Sequence, residues 1–277
     1  MNIRNIQKSG NAYYIYLPSE WCKQNNLKGK SKVTLESSTD GKLLISPTLH
    51  EQKDKTLTIQ MPEEDLRLIN KLIVACYINP VRSFKIKLQN EISSLDILDH
   101  KKLLSGIELV EFDEKQITCE SSVFVEDPDI LLKTMIRKIT NMLKVKLENK
   151  ELMERYEEEI DRSNMLINKS VVSSLMFKRN SKLKHIHLFY IIRISIYLER
   201  FADELRISRL NKKQVGFLLE LIRDLEALID KTTIENAIGF TKKVLAAGEK
   251  NEAIMRNLEN TADMLLDLAI SNEIERQ

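Results

Sequence analysis

Apolar residues recur with a changing rhythm along this chain. Up to residue 47 the rhythm is short. Ala12-Tyr13-Tyr14-Ile15-Tyr16-Leu17 is an aromatic and β-branched run closed by Pro18, which predicts a strand. Ser19 reads as the N-cap of a brief helix through Trp21 to Asn26, and Gly29 as the left-handed residue ending it. Lys32 to Glu36 alternates polar and apolar, Asp40-Gly41 is a hairpin turn signal, and Lys42 to Ile45 returns. His50 to Lys55 is polar and reads as a linker.

Residues 56–125 mix two periods. Thr56 to Gln60 alternates as a strand, and Glu63 to Tyr77 carries Leu66, Ile69, Leu72, Ile73 and Cys76 at helical spacing. Phe84 to Leu88 alternates again. Ile107 to Phe112 follows Gly106, with Gln116 to Cys119 as its pairing partner. From Asp127 the helical period takes over. Asp127-Pro128 is a cap followed by proline at the first helical position. Leu131, Met135, Ile136, Ile139, Met142, Leu143 and Leu147 form one stripe. Further helices are expected over 149–179, 182–209, 212–230 and 233–275. Antiparallel packing as a bundle buries such stripes. The fold class is therefore multidomain α+β, with domains at 1–47, 56–125 and 127–277.

Composition narrows the function. Only 7 glycines and 5 prolines punctuate 277 residues, which suits long helices. Residues 1–50 hold 7 Lys/Arg against 3 Asp/Glu, while residues 51–125 hold 10 against 13. The basic excess at one end is compatible with a polyanion partner. The three cysteines are scattered and odd in number, there is no signal-peptide core, and no stretch approaches the roughly 20 apolar residues of a membrane span. The expectation is a cytoplasmic protein without a transmembrane segment. No nucleotide loop, nucleophile elbow or metalloprotease motif occurs, so no catalytic residue is named and no enzymatic activity is expected.

Arg4 to Asn11 is a basic and polar run with a glycine inside it. Arginine and lysine suit phosphates, and Gln and Asn suit base edges. The ordered string Ile3 to Trp21, then Leu27-Lys28-Gly29-Lys30-Ser31-Lys32-Val33, resembles the AbrB/SpoVT family. That resemblance covers residues 1–47 and implies a swapped-hairpin β-barrel completed by a second copy, hence a homodimer that binds double-stranded DNA. Carried over to matching positions, the contact residues are Arg4, Gln7, Lys8, Ser9 and Asn11, with Lys23 on the short helix. Lys30-Ser31 departs from the acidic residue usual in the family's turn.

Two acidic pairs stand out in the helical half: Glu157 with Asp161, and Glu199 with Asp203. Residues i and i+4 share a helix face, with Cβ atoms about 5–6 Å apart. Pairs on facing helices would concentrate negative charge that a cation with oxygen ligands relieves. Leu198-Glu199-Arg200-Phe201-Ala202-Asp203-Glu204-Leu205 and the stretch from Glu157 to Ile167 resemble the acidic motifs of PhoU repeats. Gly106 to Glu111 and Asp127 to Leu132 resemble archaeal proteins that fuse an AbrB-like domain to PhoU. The resemblance implies a PhoU-like bundle, an iron or zinc site from Glu157, Asp161, Glu199 and Asp203, and a role in phosphate uptake and homeostasis. The second repeat reads as incomplete, and the Glu259/Asp263 spacing reads as coincidence. Three functions follow: a DNA-binding transcription regulator of phosphate uptake, an adaptor acting on phosphate-transport or signalling proteins without touching DNA, or a metal-binding or metal-storage bundle.

Overall fold

The computed structural model describes residues 4–37, 43–47, 56–61, 65–79, 81–89, 104–113, 115–121, 127–177, 183–247 and 252–274. The chain divides into two compact units, Met1–Lys53 and Asp54–Gln277.

The first unit holds two separate antiparallel ladders. Strands β1 (Gln7–Ser9) and β2 (Ala12–Tyr14) pair with Ser9 opposite Ala12 across a two-residue turn. Gly10 sits at φ +58°, a conformation that costs an L side chain strain. The ladder ends where Gln7 meets Tyr14, so the strand expected through Leu17 stops three residues earlier. Helix α1 (Ser19–Gln24) begins one residue before expectation. Pro18, not Ser19, is the N-cap, because the Pro18 carbonyl accepts the first helical bond from Cys22 N at 3.0 Å. The left-handed residue after α1 is Asn26 at φ 54°, not Gly29. Asparagine tolerates this region better than most residues. Strands β3 (Thr34–Ser37) and β4 (Leu43–Ser46) pair from Thr34–Ser46 to Ser37–Leu43. The turn residues Asp40-Gly41 and the linker 48–55 lie outside the described residues. No described side chain of this unit is buried, and Ile6, Tyr13, Tyr16, Leu35 and Leu43 are each at least 60% exposed.

The second unit starts with a four-stranded sheet in the order β5-β6-β8-β7. Strand β5 (Leu57–Gln60) runs parallel to β6 (Ser83–Lys87), and α2 (Leu66–Ile78) makes the crossover between them. The Asp65 carboxylate caps α2 by accepting from Arg67 N at 2.8 Å. Strand β8 (Gln116–Ser121) is antiparallel to both β6 and β7 (Ile107–Asp113), with a bulge between Leu109 and Glu111. Ile69, Ile73, Cys76 and Tyr77 of α2 close a buried cluster with Phe84, Ile86, Ile117 and Cys119 of the sheet.

Six helices follow among the described residues: α3 (Pro128–Val145), α4 (Lys150–Phe177), α5 (His185–Ile207), α6 (Lys212–Asp230), α7 (Ile234–Leu245) and α8 (Glu252–Ile274). The stretch 233–275, expected as one helix, is two, and the second half of the bundle therefore has its third helix. The expected stripe of α3 is buried except Leu147, which lies beyond the helix end and is 50% exposed. Asn211 and Gln214 form a capping box at α6, and the Thr233 hydroxyl accepts from Asn236 N at α7. Helix α3 packs on α4, α5 and α6, α5 on α8, and α7 on α6 and α8. Their apolar faces merge into one core. Each fully buried Leu or Ile there stabilises the fold by about 1.5–3 kcal/mol. The stretches 56–125 and 127–277, read from the sequence as two domains, both fall in this unit, each with its own buried cluster. No helix among the described residues is long and apolar enough to cross a membrane.

Candidate functional site

The polar run near the N-terminus becomes the β1–β2 hairpin and the chain leading into it. Arg4, Gln7, Lys8, Ser9 and Asn11 are all exposed, as is Lys23 on α1. Strand alternation divides them between the faces of the hairpin. Gln7 and Ser9 share a face with Ala12 and Tyr14, whereas Lys8 lies opposite Tyr13 on the other. The Lys8 ammonium is 5.6 Å from the centroid of the Tyr13 ring, a cation–π contact that holds the charge near the strand pair.

The carboxylate pairs sit in the bundle on α4 and α5. Helix α4 buries Ile160, Ile167 and Val171, which turns Asp161 toward its neighbour's edge. Helix α5 buries Leu198, Phe201, Ala202 and Leu205, leaving Glu199 and Asp203 half-buried beside them. One hydrogen bond fixes the register: the fully buried Ser195 hydroxyl donates to Asn164 Oδ1 at 3.0 Å, one turn from the acids. Asp161, Glu199 and Asp203 each present a carboxylate oxygen, and these oxygens lie within 4.8 Å of one another. Glu157, expected as the fourth ligand, is turned to Arg206, whose Nε donates to its Oε1 at 3.1 Å.

Burial and mutual repulsion show in the titration of these groups. Burial chiefly, then the charges of Glu157, Glu199 and Asp203, push Asp161 up to about 7, against some relief from Arg206. Glu199 is raised by burial and then by Asp203. Glu157 is raised by burial, partly offset by Arg206. Asp161 Oδ1 is buried and has no hydrogen-bond partner among the described residues. An orphaned carboxylate oxygen facing two more carboxylates fits a cation with oxygen ligands. The residues that would hold it are Asp161, Glu199 and Asp203.

Arg206, Asn164 and Ser195 escaped the sequence reading. Arg206 follows Asp203 by three positions and Glu199 by seven, so helical spacing alone places it on the acidic face. Asn164 and Ser195 carry no such signal, because each is an ordinary polar residue until the helices meet. Glu259 and Asp263 fall on α8 within Leu258-Glu259-Asn260-Thr261-Ala262-Asp263-Met264-Leu265, which repeats the Leu, Glu, Ala, Asp and Leu positions of the α5 motif. Both of these acids are exposed.

Residues 6–59 match a family model described as antidote-toxin recognition MazE, bacterial antitoxin. The N-terminal domain is thus similar to the MazE/AbrB type, and the match runs from the first unit into β5. It includes Gln7, Lys8, Ser9, Asn11 and Lys23 and begins just after Arg4. No curated protein and no solved structure matches the chain.

Proposed function

We propose that this chain is a dimeric DNA-binding regulator whose helical bundle senses a signal tied to phosphate uptake. The observation that carries the reading is the exposed β1–β2 hairpin, with its Gln, Lys, Ser and Asn side chains, on a unit that buries none of its described side chains. Such a unit is stable when a second copy covers its apolar residues. The similarity of residues 6–59 to the MazE/AbrB type supports the same reading. Doubling the unit doubles the hairpin, and two related hairpins suit a duplex with two related half-sites.

The bundle supports a PhoU-like reading of the rest. Two groups of three helices follow one another, and the Leu-Glu-x-x-Ala-Asp-x-Leu pattern ends each group, on α5 and on α8. The first group would hold one cation through Asp161, Glu199 and Asp203. An oxygen-only donor set suits zinc least, since zinc favours nitrogen and sulfur, and it suits iron or a harder cation such as manganese or magnesium. A bound cation would neutralise the cluster, while Arg206 serves Glu157. Phosphate-transport or signalling proteins are the partners this reading names for the bundle.

The test is binding of the full-length protein to duplex DNA from its own promoter and from phosphate-transport promoters at several salt concentrations. The logarithm of the affinity is expected to fall linearly with log salt, with the slope set by the number of phosphates neutralised. The double charge reversal Arg4→Glu/Lys8→Glu should weaken binding at least about 100-fold at low salt. If the wild-type protein binds neither DNA at any salt while remaining folded, the DNA-binding reading is wrong and the adaptor reading replaces it.

A further inference from the structure

Helix α4 serves two cores at once. Its Ile160, Ile167 and Val171 lie in the bundle core, while Met165 and Leu166 pack against the cluster formed by α2 and the sheet. Lys169 sits in that second seam and is 4% exposed. Its ammonium lies 4.2 Å from the centroid of the Tyr77 ring on α2 and donates to the Ser121 hydroxyl at the end of β8. Tyr77 is itself fully buried and spends its own hydroxyl on the Ser105 carbonyl at 3.1 Å. The neighbouring cation, Arg162, pairs with Glu159 on its own helix.

A buried ammonium is normally matched by a carboxylate. Among the described residues a ring face and one neutral hydroxyl take that place, and they offset only part of the cost of dehydrating the charge. Burial pushes the Lys169 amine down to about 8. Helix α2 and the end of β8 therefore dock on α4 around a residue that opposes the docking. The surrounding apolar contacts hold the seam closed against it.

We infer that Lys169 is a conformational latch, and that α2 with the end of β8 exchanges between docked and undocked arrangements on α4 while the bundle core stays closed. Placement gives the latch a use. Asp161 lies eight residues before Lys169 on the same helix, about 12 Å along its axis at 1.5 Å per residue. A shift of α4 at the carboxylate cluster thus reaches the seam through a rigid element. The sheet on the far side of the seam begins with β5, the strand into which the N-terminal similarity extends. The latch itself stands whether or not the carboxylates take a metal.

Hydrogen exchange of the full-length protein, read on peptides from α2 and β8 with α3 and α5 as internal references, tests it. Lys169→Met keeps an unbranched side chain one atom shorter and removes its charge. It should slow exchange in α2 and β8 about tenfold, because opening there loses its driving force. Ser121→Ala removes the hydroxyl that accepts from Lys169 and should speed exchange in the same peptides several-fold. Exchange in α3 and α5 should be unchanged in both. If Lys169→Met leaves α2 and β8 unchanged or speeds them, Lys169 is an ordinary packing residue and the latch is wrong. Equal slowing in all four helices and strands would also overturn it, because the effect would then be global.

Discussion

The two units of this chain solve the problem of stability in opposite ways. Asp54–Gln277 buries a continuous core through six helices and a second cluster under its sheet. Met1–Lys53 buries no described side chain and exposes Tyr13, Tyr16, Leu35 and Leu43. A length of chain that small has too little interior to be stable alone without a disulfide, a metal or a partner. The contrast locates where each part of the function would sit. A unit that needs a second copy would present its polar hairpin twice, which suits a duplex with two related half-sites. A unit with its own core can tolerate strained or repelling groups inside it, as the carboxylate cluster is.

Three changes in the self-sufficient unit sharpen this contrast. The largest is Phe201→Ala, which empties a fully buried ring site in the bundle. It should cost about 3–5 kcal/mol in chemical denaturation. Dimerisation should survive in the protein that remains folded, because Phe201 lies outside the N-terminal unit. Next is Glu199→Gln/Asp203→Asn, which removes two of the three clustered carboxylates. Elemental analysis and metal titration should show binding of a single divalent cation by the wild type and affinity at least about 100-fold weaker in the variant. Equal metal content in both would remove the metal reading and leave the fold account intact.

The smallest concerns pH. Asp161 titrates at about 7 in the folded protein against 3.8 as its ordinary value, so the folded state holds this proton longer than the unfolded state. Stability without metal should therefore fall as pH rises from about 4 to about 7 and level off above that. At about 1.4 kcal/mol per pKa unit the shift sets a ceiling of about 4 kcal/mol, and solvent screening of this half-buried group brings the expected fall to on the order of 2 kcal/mol. Asp161→Asn should flatten the profile and stabilise the metal-free protein at pH 7. A profile identical to wild type would show that the cluster does not store this repulsion.

The same contrast explains how much could be read from the sequence. Local signals held for several elements. The alternation of Phe84 to Leu88, the stripe of α3, and the breaks at Asn211 and Thr233 all rest on residues within one turn of each other. The break between α7 and α8 was missed because Ala246 and Ala247 favour helix and a single Gly248 interrupts weakly. Ser19 and Gly29 were each misplaced because Pro18 and Asn26 compete for the same backbone roles at the two ends of α1. The acidic spacing on α4 and α5 was visible, and three of its four members do converge. The diversion of Glu157 to Arg206, the Asn164–Ser195 link and the Lys169 seam depend on which helix lies beside which, and periodicity does not carry that information.

Sedimentation equilibrium of the full-length protein and of Leu35→Asp/Leu43→Asp tests the central claim most directly. These two residues lie on one face of the β3–β4 ladder and are each 60% exposed in a single copy. The account predicts a dimer for the wild type and a monomer for the variant. The variant's 54–277 unit should keep its helical circular dichroism and its melting transition. A wild-type monomer with a folded N-terminal unit, or a variant that dimerises as tightly as wild type, would contradict it.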